Sequence, residues 1–265
     1  MAAAIDEAMP MADSAARAGA QILFLPEYCG GLASDGRKFC PPSAPEATHA
    51  ALAAFQDFAR KRNVWVNLGS VAVDGPDGKL INRGFMIAPD GRITGRYDKI
   101  HLFDVNLGET IYRESDTVEP GGQAVVHETG LARLGHAICY DLRFPNLFRS
   151  MAQGGADILC CPAAFTKVTG EAHWHVLNRA RAIENTRFVV SACAVGPVPG
   201  GGECYGHSLV VAPWGDVLAD GLALSGVVHA QLDLDQITAA QGKIPSLEHD
   251  RPFTLKSVTH KRSVA

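Results

Sequence analysis

Three segments of this chain run apolar or alternating and then break just past one reactive side chain: ILFLPEYCG at 22–30, GRYDKIHLFD at 95–104 and LGHAICYDLRFP at 134–145. Such runs read as strands closed by turns, which puts Glu27, Lys99 and Cys139 each at a strand end. A fold that uses all three must gather strand ends in one place. A carboxylate, an ammonium and a thiol so placed suggest a general base, an oxyanion stabiliser and a nucleophile. Taken singly, each has a blander reading: a strand-terminating surface glutamate, a solvated hairpin lysine and a small buried thiol. At the mouth of an apolar cleft, desolvation would make Glu27 a better proton acceptor, while turn amides behind Cys139 would favour its thiolate.

The rest of the chain continues the pattern. Residues 2–19 read as an Ala-rich helix stopped by Gly19, with Pro10 expected to kink or interrupt it. A buried strand at 21–25 is followed by an amphipathic helix at 47–61, with Ala51, Leu52, Phe55 and Phe58 inward. A meander of strands at 64–73, 81–88 and 92–99 turns on Asp-Gly pairs. The second half alternates strand 132–139, helix 145–153, strand 157–161, helix 170–186 and strand 188–195, then a hairpin at 208–220 and a strand at 227–234. Hairpins mixed with β–α alternation imply an α/β fold with two sheet layers and helices outside. No linker or repeat divides the 265 residues, so a single domain over 1–265 is expected.

A net charge of −4 without a long basic run argues against nucleic acid or an anionic membrane surface as partner. No apolar run approaches the ~18 residues of a membrane span, and the acidic N-terminus lacks a signal-peptide pattern. Seven scattered cysteines in a chain this long point to reduced thiols and a cytoplasmic setting.

LFLPEY, KIHLFD and CYDLRFP closely resemble the motifs of the nitrilase, or carbon–nitrogen hydrolase, superfamily, and the likeness extends over nearly the whole chain. Tyr205-Gly206-His207-Ser208, Pro213-Trp214-Gly215 and KIPSLEHDRPFTL are similar to its Nit-type amidase branch. The resemblance implies a four-layer α-β-β-α sandwich and hydrolysis of a small carboxylate-bearing amide through a Cys139 thioester, releasing ammonia. Glu27 would be the base, and Lys99 with the Tyr140 amide would hold the oxyanion. Glu114, in Arg113-Glu114-Ser115, resembles a second glutamate that positions groups near the lysine, although Glu109 and Glu119 lie close by. No cofactor or metal is implied. N-carbamoyl amide hydrolysis and a catalytically idle binding module are the alternative readings.

A carboxylate-bearing substrate calls for a cation, and Arg143 is the candidate; the competing reading pairs Arg143 with Asp141 and has it only shape the turn. Tyr140, Phe165 and His173 are expected to line the pocket. His173 and His175 point in different directions on a helix, which makes them a poor metal pair. Arg179, Arg181 and Glu184 read as structural charges, and Cys160 and Cys161 as core thiols. Asn146 departs from the acidic residue usual after Phe-Pro. The family pairs subunits through helices and C-terminal tails, so a homodimer or larger homo-oligomer is expected, with Ile244 to Leu255 docking on a neighbour. The family's opening strand has no counterpart in residues 1–20, which read as helix, and the natural gene is expected to encode about 10 to 20 further residues there.

Overall fold

Residues 1–35, 38–108 and 110–258 are described by the structure, a computed structural model. Helix α1 (Ala2–Arg17) leads to β1 (Ile22–Phe24), β2 (Ser43–Ala44), α2 (Ala50–Arg62), β3 (Trp65–Asn67), β4 (Val71–Asp74), β5 (Leu80–Ile87) and β6 (Ile93–Asp98). A small hairpin of β7 (Asp104–Leu107) and β8 (Thr110–Arg113) runs into a 3-10 turn at Glu114–Asp116 and then β9 (Val118–Glu119). Next come β10 (Val125–Glu128), β11 (Arg133–His136), a 3-10 elbow at Cys139–Arg143, α3 (Pro145–Gln153), β12 (Ile158–Cys160), α4 (Lys167–Asn185) and β13 (Phe188–Ser191). The chain closes with β14 (Val195–Pro197), β15 (Glu203–Tyr205), β16 (Leu209–Val211), β17 (Val217–Asp220) and α5 (Asp235–Lys243).

The first sheet is ordered β1-β3-β5-β4-β2, with β6 and β9 also on β5; the second is ordered β10-β11-β12-β13-β16-β17. Three apolar clusters set the layers. Phe55 and Leu52 of α2 and the buried alanines of α1 pack on Val66 and Phe85 of the first sheet. Phe148 and Met151 of α3 and Trp174 of α4 pack on Val189 and Val211 of the second. Between the sheets, Met86 meets Leu134, Ile158, Phe188 and Val210. The result is the four-layer α-β-β-α order, each sheet burying both faces.

Polar groups also enter the inter-sheet layer. His136 of β11 and His127 of β10 project toward β5 and β6, where a Cβ on Gly84 would lie 2.4 Å from His136 and one on Gly95 2.1 Å from His127. Only glycine leaves room for the two imidazoles there. His136 is fixed by the Gly69 carbonyl at 3.2 Å and Asn67 at 3.4 Å, and it stacks on Tyr97.

Several expectations need correction. Helix α1 runs unbroken through Pro10, because Pro10 and Asp6 are both exposed and water can take the carbonyl that proline leaves unbonded. The segment 64–73 is interrupted at Gly69 (φ 48°) into β3 and β4, which both pair antiparallel with the same side of β5, opposite β6, with a one-residue shift in register between them. Residues 227–234 alternate like a strand and Leu232 and Leu234 reach the inter-sheet core, yet the segment is in no ladder; the helix after it, α5, was not foreseen. β1 pairs with β3 on one side, and among the described residues no strand borders its other side.

Burial pushes both inter-sheet imidazoles below their ordinary 6.5, His127 to about 4 and His136 to about 3. The unfolded chain therefore takes up protons below about pH 6.5 that the folded chain refuses, so this contribution to stability is intact above that pH and declines toward pH 4. The melting temperature should be lower near pH 5 than near pH 7, a range in which carboxylates remain mostly ionised. His127→Gln should shrink that difference; a variant with the wild-type slope would refute the attribution.

Candidate active site

The three strand ends do converge. After β1, residues 25–29 are tied to 67–70: Leu25 N–H donates to Asn67 O, Ser70 N–H to Pro26 O, and Cys29 N–H to Ser70 O. That holds Glu27 in place, buried to 1% exposure. One Glu27 oxygen accepts from Asn82 Nδ2 at 2.8 Å and Lys99 Nζ at 3.0 Å; the other accepts from the Ala164 amide at 2.8 Å. Asn82, on β5, also accepts from the Lys99 amide through its carbonyl. One strand thus registers both groups.

Lys99 follows β6 and is 2% exposed. Its Nζ lies 3.0 and 2.9 Å from the two oxygens of Glu114, whose 3-10 turn follows β8. Glu114 is held in turn by the Phe103 amide at 2.6 Å and the Tyr28 hydroxyl at 3.4 Å. Burial alone would strip the proton from Lys99, but the Glu114 and Glu27 carboxylates outweigh it and hold the ammonium well above its ordinary range. Of the neighbouring acids, Glu119 pairs with Lys79 on the edge strand β9, and Glu109 lies outside the described residues.

Cys139 opens the elbow after β11, in the left-handed region at φ 50°, with its amide bonded to Pro162 O. For a non-glycine residue that conformation is strained, and it is kept here by what surrounds it. Asp141 is the main clamp. Fully buried, it accepts from Ile138 N at 2.9 Å, Tyr97 Oη at 2.7 Å, and His101 through both N (3.0 Å) and Nδ1 (2.6 Å). Arg181 of α4 holds the far end, donating twice to Leu142 O. Glu27 neighbours the Cys139 thiol, and burial together with that carboxylate pushes the thiol well above its ordinary pKa despite Lys99. This reverses the expected direction: the resting sulfur is a neutral thiol, because burial and a neighbouring anion outweigh the turn amides.

A cleft enclosing about 530 Å3, partly open to solvent, reaches Cys139, Lys99 and Glu114. Tyr28, Phe39, Phe103, Tyr112, Tyr140 and Phe165 form its walls, and Lys38 and Arg113 also line it. Tyr140 and Phe165 are therefore placed as expected. Arg143 and His173 are not: neither lines the cleft. Trp174 takes the inward face of α4, so His173 faces out and meets Arg143 at 3.4 Å. The Arg143 guanidinium lies over the Tyr140 and Phe165 rings, 5.9 and 5.4 Å from their centroids, and Asp141 is fully engaged elsewhere. Tyr28, Asn82, Asp141 and His101 escaped the sequence reading; Tyr28 adjoins Glu27, and only that adjacency could have flagged it.

A buried thiol beside a glutamate–lysine–glutamate chain, on a four-layer sandwich, is the arrangement of a carbon–nitrogen hydrolase. The chain belongs to that family, whose profile matches residues 2–241. It is 38% identical over 253 residues to the deaminated glutathione amidase of Synechocystis, covering 92% of this chain and 91% of that protein. To the omega-amidase NIT2 of Xenopus tropicalis it is 33% identical over 260 residues, 98% of this chain and 93% of that one. Among solved structures, the C. elegans NitFhit protein superposes with a TM-score of 0.83 at 31% identity, over 94% of this chain and 61% of that one. A mutant amidase from Nesterenkonia, carrying the acetamide moiety of fluoroacetamide on its active-site cysteine, superposes with a TM-score of 0.72 at 25% identity, over 93% of this chain and 90% of that one. The chain is thus an amidase-type enzyme of the Nit branch of the nitrilase superfamily.

Lys99 pairs with two buried carboxylates at once. Lys99→Ala should lower stability on the order of 3–5 kcal/mol, as removal of one member of a buried ion pair does. Adding Glu114→Gln should raise the melting temperature above that of Lys99→Ala alone, since one stranded charge disappears. Calorimetry of the two variants checks this; a double variant no more stable than the single would overturn it.

Proposed function

We propose that the protein hydrolyses the amide of a small carboxylate-bearing compound, with Cys139 as nucleophile, Glu27 as base and Lys99 as oxyanion stabiliser. The observation that carries the reading is the buried Glu27–Lys99–Glu114 hydrogen-bonded chain with the Cys139 thiol beside Glu27 at the base of the cleft. The acetamide adduct on the active-site cysteine of the Nesterenkonia amidase supports the thiol chemistry.

Because the thiol is neutral at rest, its proton passes to Glu27 as sulfur attacks the amide carbon. The developing oxyanion is met by the Tyr140 N–H, which has no acceptor among the described residues, and by Lys99. Two of the three Lys99 bonds go to Glu114, so one N–H can swing to the oxyanion while each glutamate keeps a bond. Collapse of the tetrahedral species breaks the C–N bond, Glu27 returns the proton to nitrogen, and ammonia leaves a thioester on Cys139. A water deprotonated by Glu27 then attacks the thioester, and the departing sulfur recovers its proton as the acid is released. Glu114 keeps Lys99 charged and aimed.

The substrate class follows from the lining. Lys38 and Arg113 add positive charge to an aromatic cleft in which, among the described residues, the one lining carboxylate, Glu114, is already bound to Lys99. A substrate carboxylate beyond the scissile amide suits that pair, and Arg143 gives up the role. The deaminated glutathione amidase and omega-amidase relatives carry names consistent with such compounds.

A panel of omega-amides, N-carbamoyl acids and neutral amides, read by ammonia release, tests this. Cys139→Ala and Glu27→Gln should abolish turnover while remaining folded. Lys38→Ala and Arg113→Ala should raise KM for carboxylate-bearing amides on the order of 10-fold and leave neutral amides unchanged. Activity in Cys139→Ala would sink the mechanism, and equal effects on neutral amides would sink the carboxylate assignment.

The seven free cysteines support a reducing, cytoplasmic setting, and among the described residues no helix is long and apolar enough to cross a membrane. Self-association is part of the proposal. Val168, Val176 and Ile183 recur about two turns apart on one face of α4 at 70, 68 and 48% exposure, and Phe253 and Leu255 of the tail are 90 and 93% exposed. Light scattering should report a homodimer or larger; a monomer at micromolar concentration would refute it.

A further inference from the structure

Outside the cleft, three side chains with ligating atoms meet where α4, the turn before β16 and the end of β17 come together. His175 Nε2 lies 3.1 Å from Asp220 Oδ2, and His207 Nδ1 lies 2.9 and 3.1 Å from the two Asp220 oxygens. All three ligand atoms fall within 4.8 Å of one another. We propose that His175, His207 and Asp220 form a binding site for a divalent transition-metal ion of the zinc type. None of the three lines the cleft, so the site is independent of the proposed amide hydrolysis.

The donor set, two imidazoles and one carboxylate, is one that zinc and its neighbours take, with a fourth position left to water. Ligand atoms at about 2.0–2.1 Å from a tetrahedral zinc stand roughly 3.3 Å apart, so the two His–Asp spacings need only slight opening to admit an ion, and the two imidazole nitrogens are already within 4.8 Å of each other. The side chains are 34, 20 and 24% exposed, which leaves an entry path and room for the fourth ligand.

The surroundings hold the donors in place. Asp220 Oδ1 accepts from the Leu222 amide at 2.8 Å. The His207 main chain is fixed at both ends, its N–H donating to Leu222 O and its carbonyl accepting from Trp174 Nε1 at 2.7 Å. Its backbone sits in the left-handed region at φ 55°, and its ring stacks on Tyr205 at 4.4 Å. Tyr205 also presents an edge contact to His175, so a single aromatic ring backs both imidazoles. The divergence of His173 and His175 along α4 is what makes this possible: one meets Arg143, and the other meets Asp220. With only hydrogen bonds, Asp220 must receive protons from both rings. A bound cation would replace those protons and cross-link a helix to two strand ends.

The test uses the full chain, stripped with chelator and titrated with Co2+ and Zn2+. The expected result is one equivalent of Co2+ with the visible absorption of a tetrahedral site, and a rise of several degrees in melting temperature with Zn2+. Asp220→Asn and His175→Gln should each lose both signals, while Cys139→Ser should keep them, which separates this site from the active-site thiol. His207→Gln is a further check, and the other two variants suffice should the strained position fail to fold. Absence of a stoichiometric signal, or its survival in Asp220→Asn and His175→Gln, would overturn the assignment and leave only a His–Asp–His hydrogen-bond cluster.

Discussion

A single buried ammonium holds the centre of this structure together. Lys99 is removed from water almost completely, which by itself would favour its neutral form, and it stays charged because two carboxylates lie within about 3 Å. Removing either carboxylate would weaken that balance, and removing the lysine would leave both uncompensated. The cluster also accounts for the state of the nucleophile. Two anions around one cation leave a net negative surrounding, so a thiolate in the same dry space is unfavourable and Cys139 keeps its proton. In the proposed mechanism proton transfer and sulfur attack therefore proceed together, with the neighbouring Glu27 carboxylate as the acceptor.

That cluster is placed by polar groups that take no part in the chemistry. Asn82 reaches Glu27 with its side chain and Lys99 with its backbone carbonyl, so the two cannot move independently. The Ala164 amide ties the same glutamate to the loop after β12, in the other sheet. Asp141 does the corresponding work for the elbow: four donors from three segments replace water around a carboxylate with no cation beside it other than His101, when that ring is charged. The site therefore belongs to the seam between the two sheets, and neither sheet could assemble it alone.

What could be read in the sequence was whatever depended on local pattern. Helix α3 matches its expected span, because Pro145 sits at the first helical position and Leu147, Phe148 and Met151 fall on one face. The strand ends bearing Glu27, Lys99 and Cys139 were legible because each apolar run stops abruptly. Residues 227–234 were misread because alternation records which side chains face inward, not whether a neighbouring strand exists to bond the backbone. The hairpins β7–β8 and β14–β15 were missed because they carry little apolar signal. Arg143 was misassigned for another reason: its nearness to Cys139 in sequence says nothing about which side of the elbow it leaves from. The partners of Asp141, and the convergence of His175, His207 and Asp220, depend on contacts between residues up to 45 apart and leave no trace in spacing.

The same division bears on specificity. The groups proposed to perform the chemistry lie at strand ends and are locked by the sheets, whereas the cations Lys38 and Arg113 that line the cleft come from connecting segments, the first before β2 and the second at the end of a two-stranded hairpin. Segments of that kind can change length and charge without disturbing the sheets, as connections generally do. Kinship of 33–38% to two amidases with different named substrates therefore transfers the reaction more securely than the substrate. On the proposed reading the chain's own substrate is set by Lys38, Phe39, Tyr112 and Arg113, which suit a compound with an anionic end and enough apolar body to lie against aromatic walls.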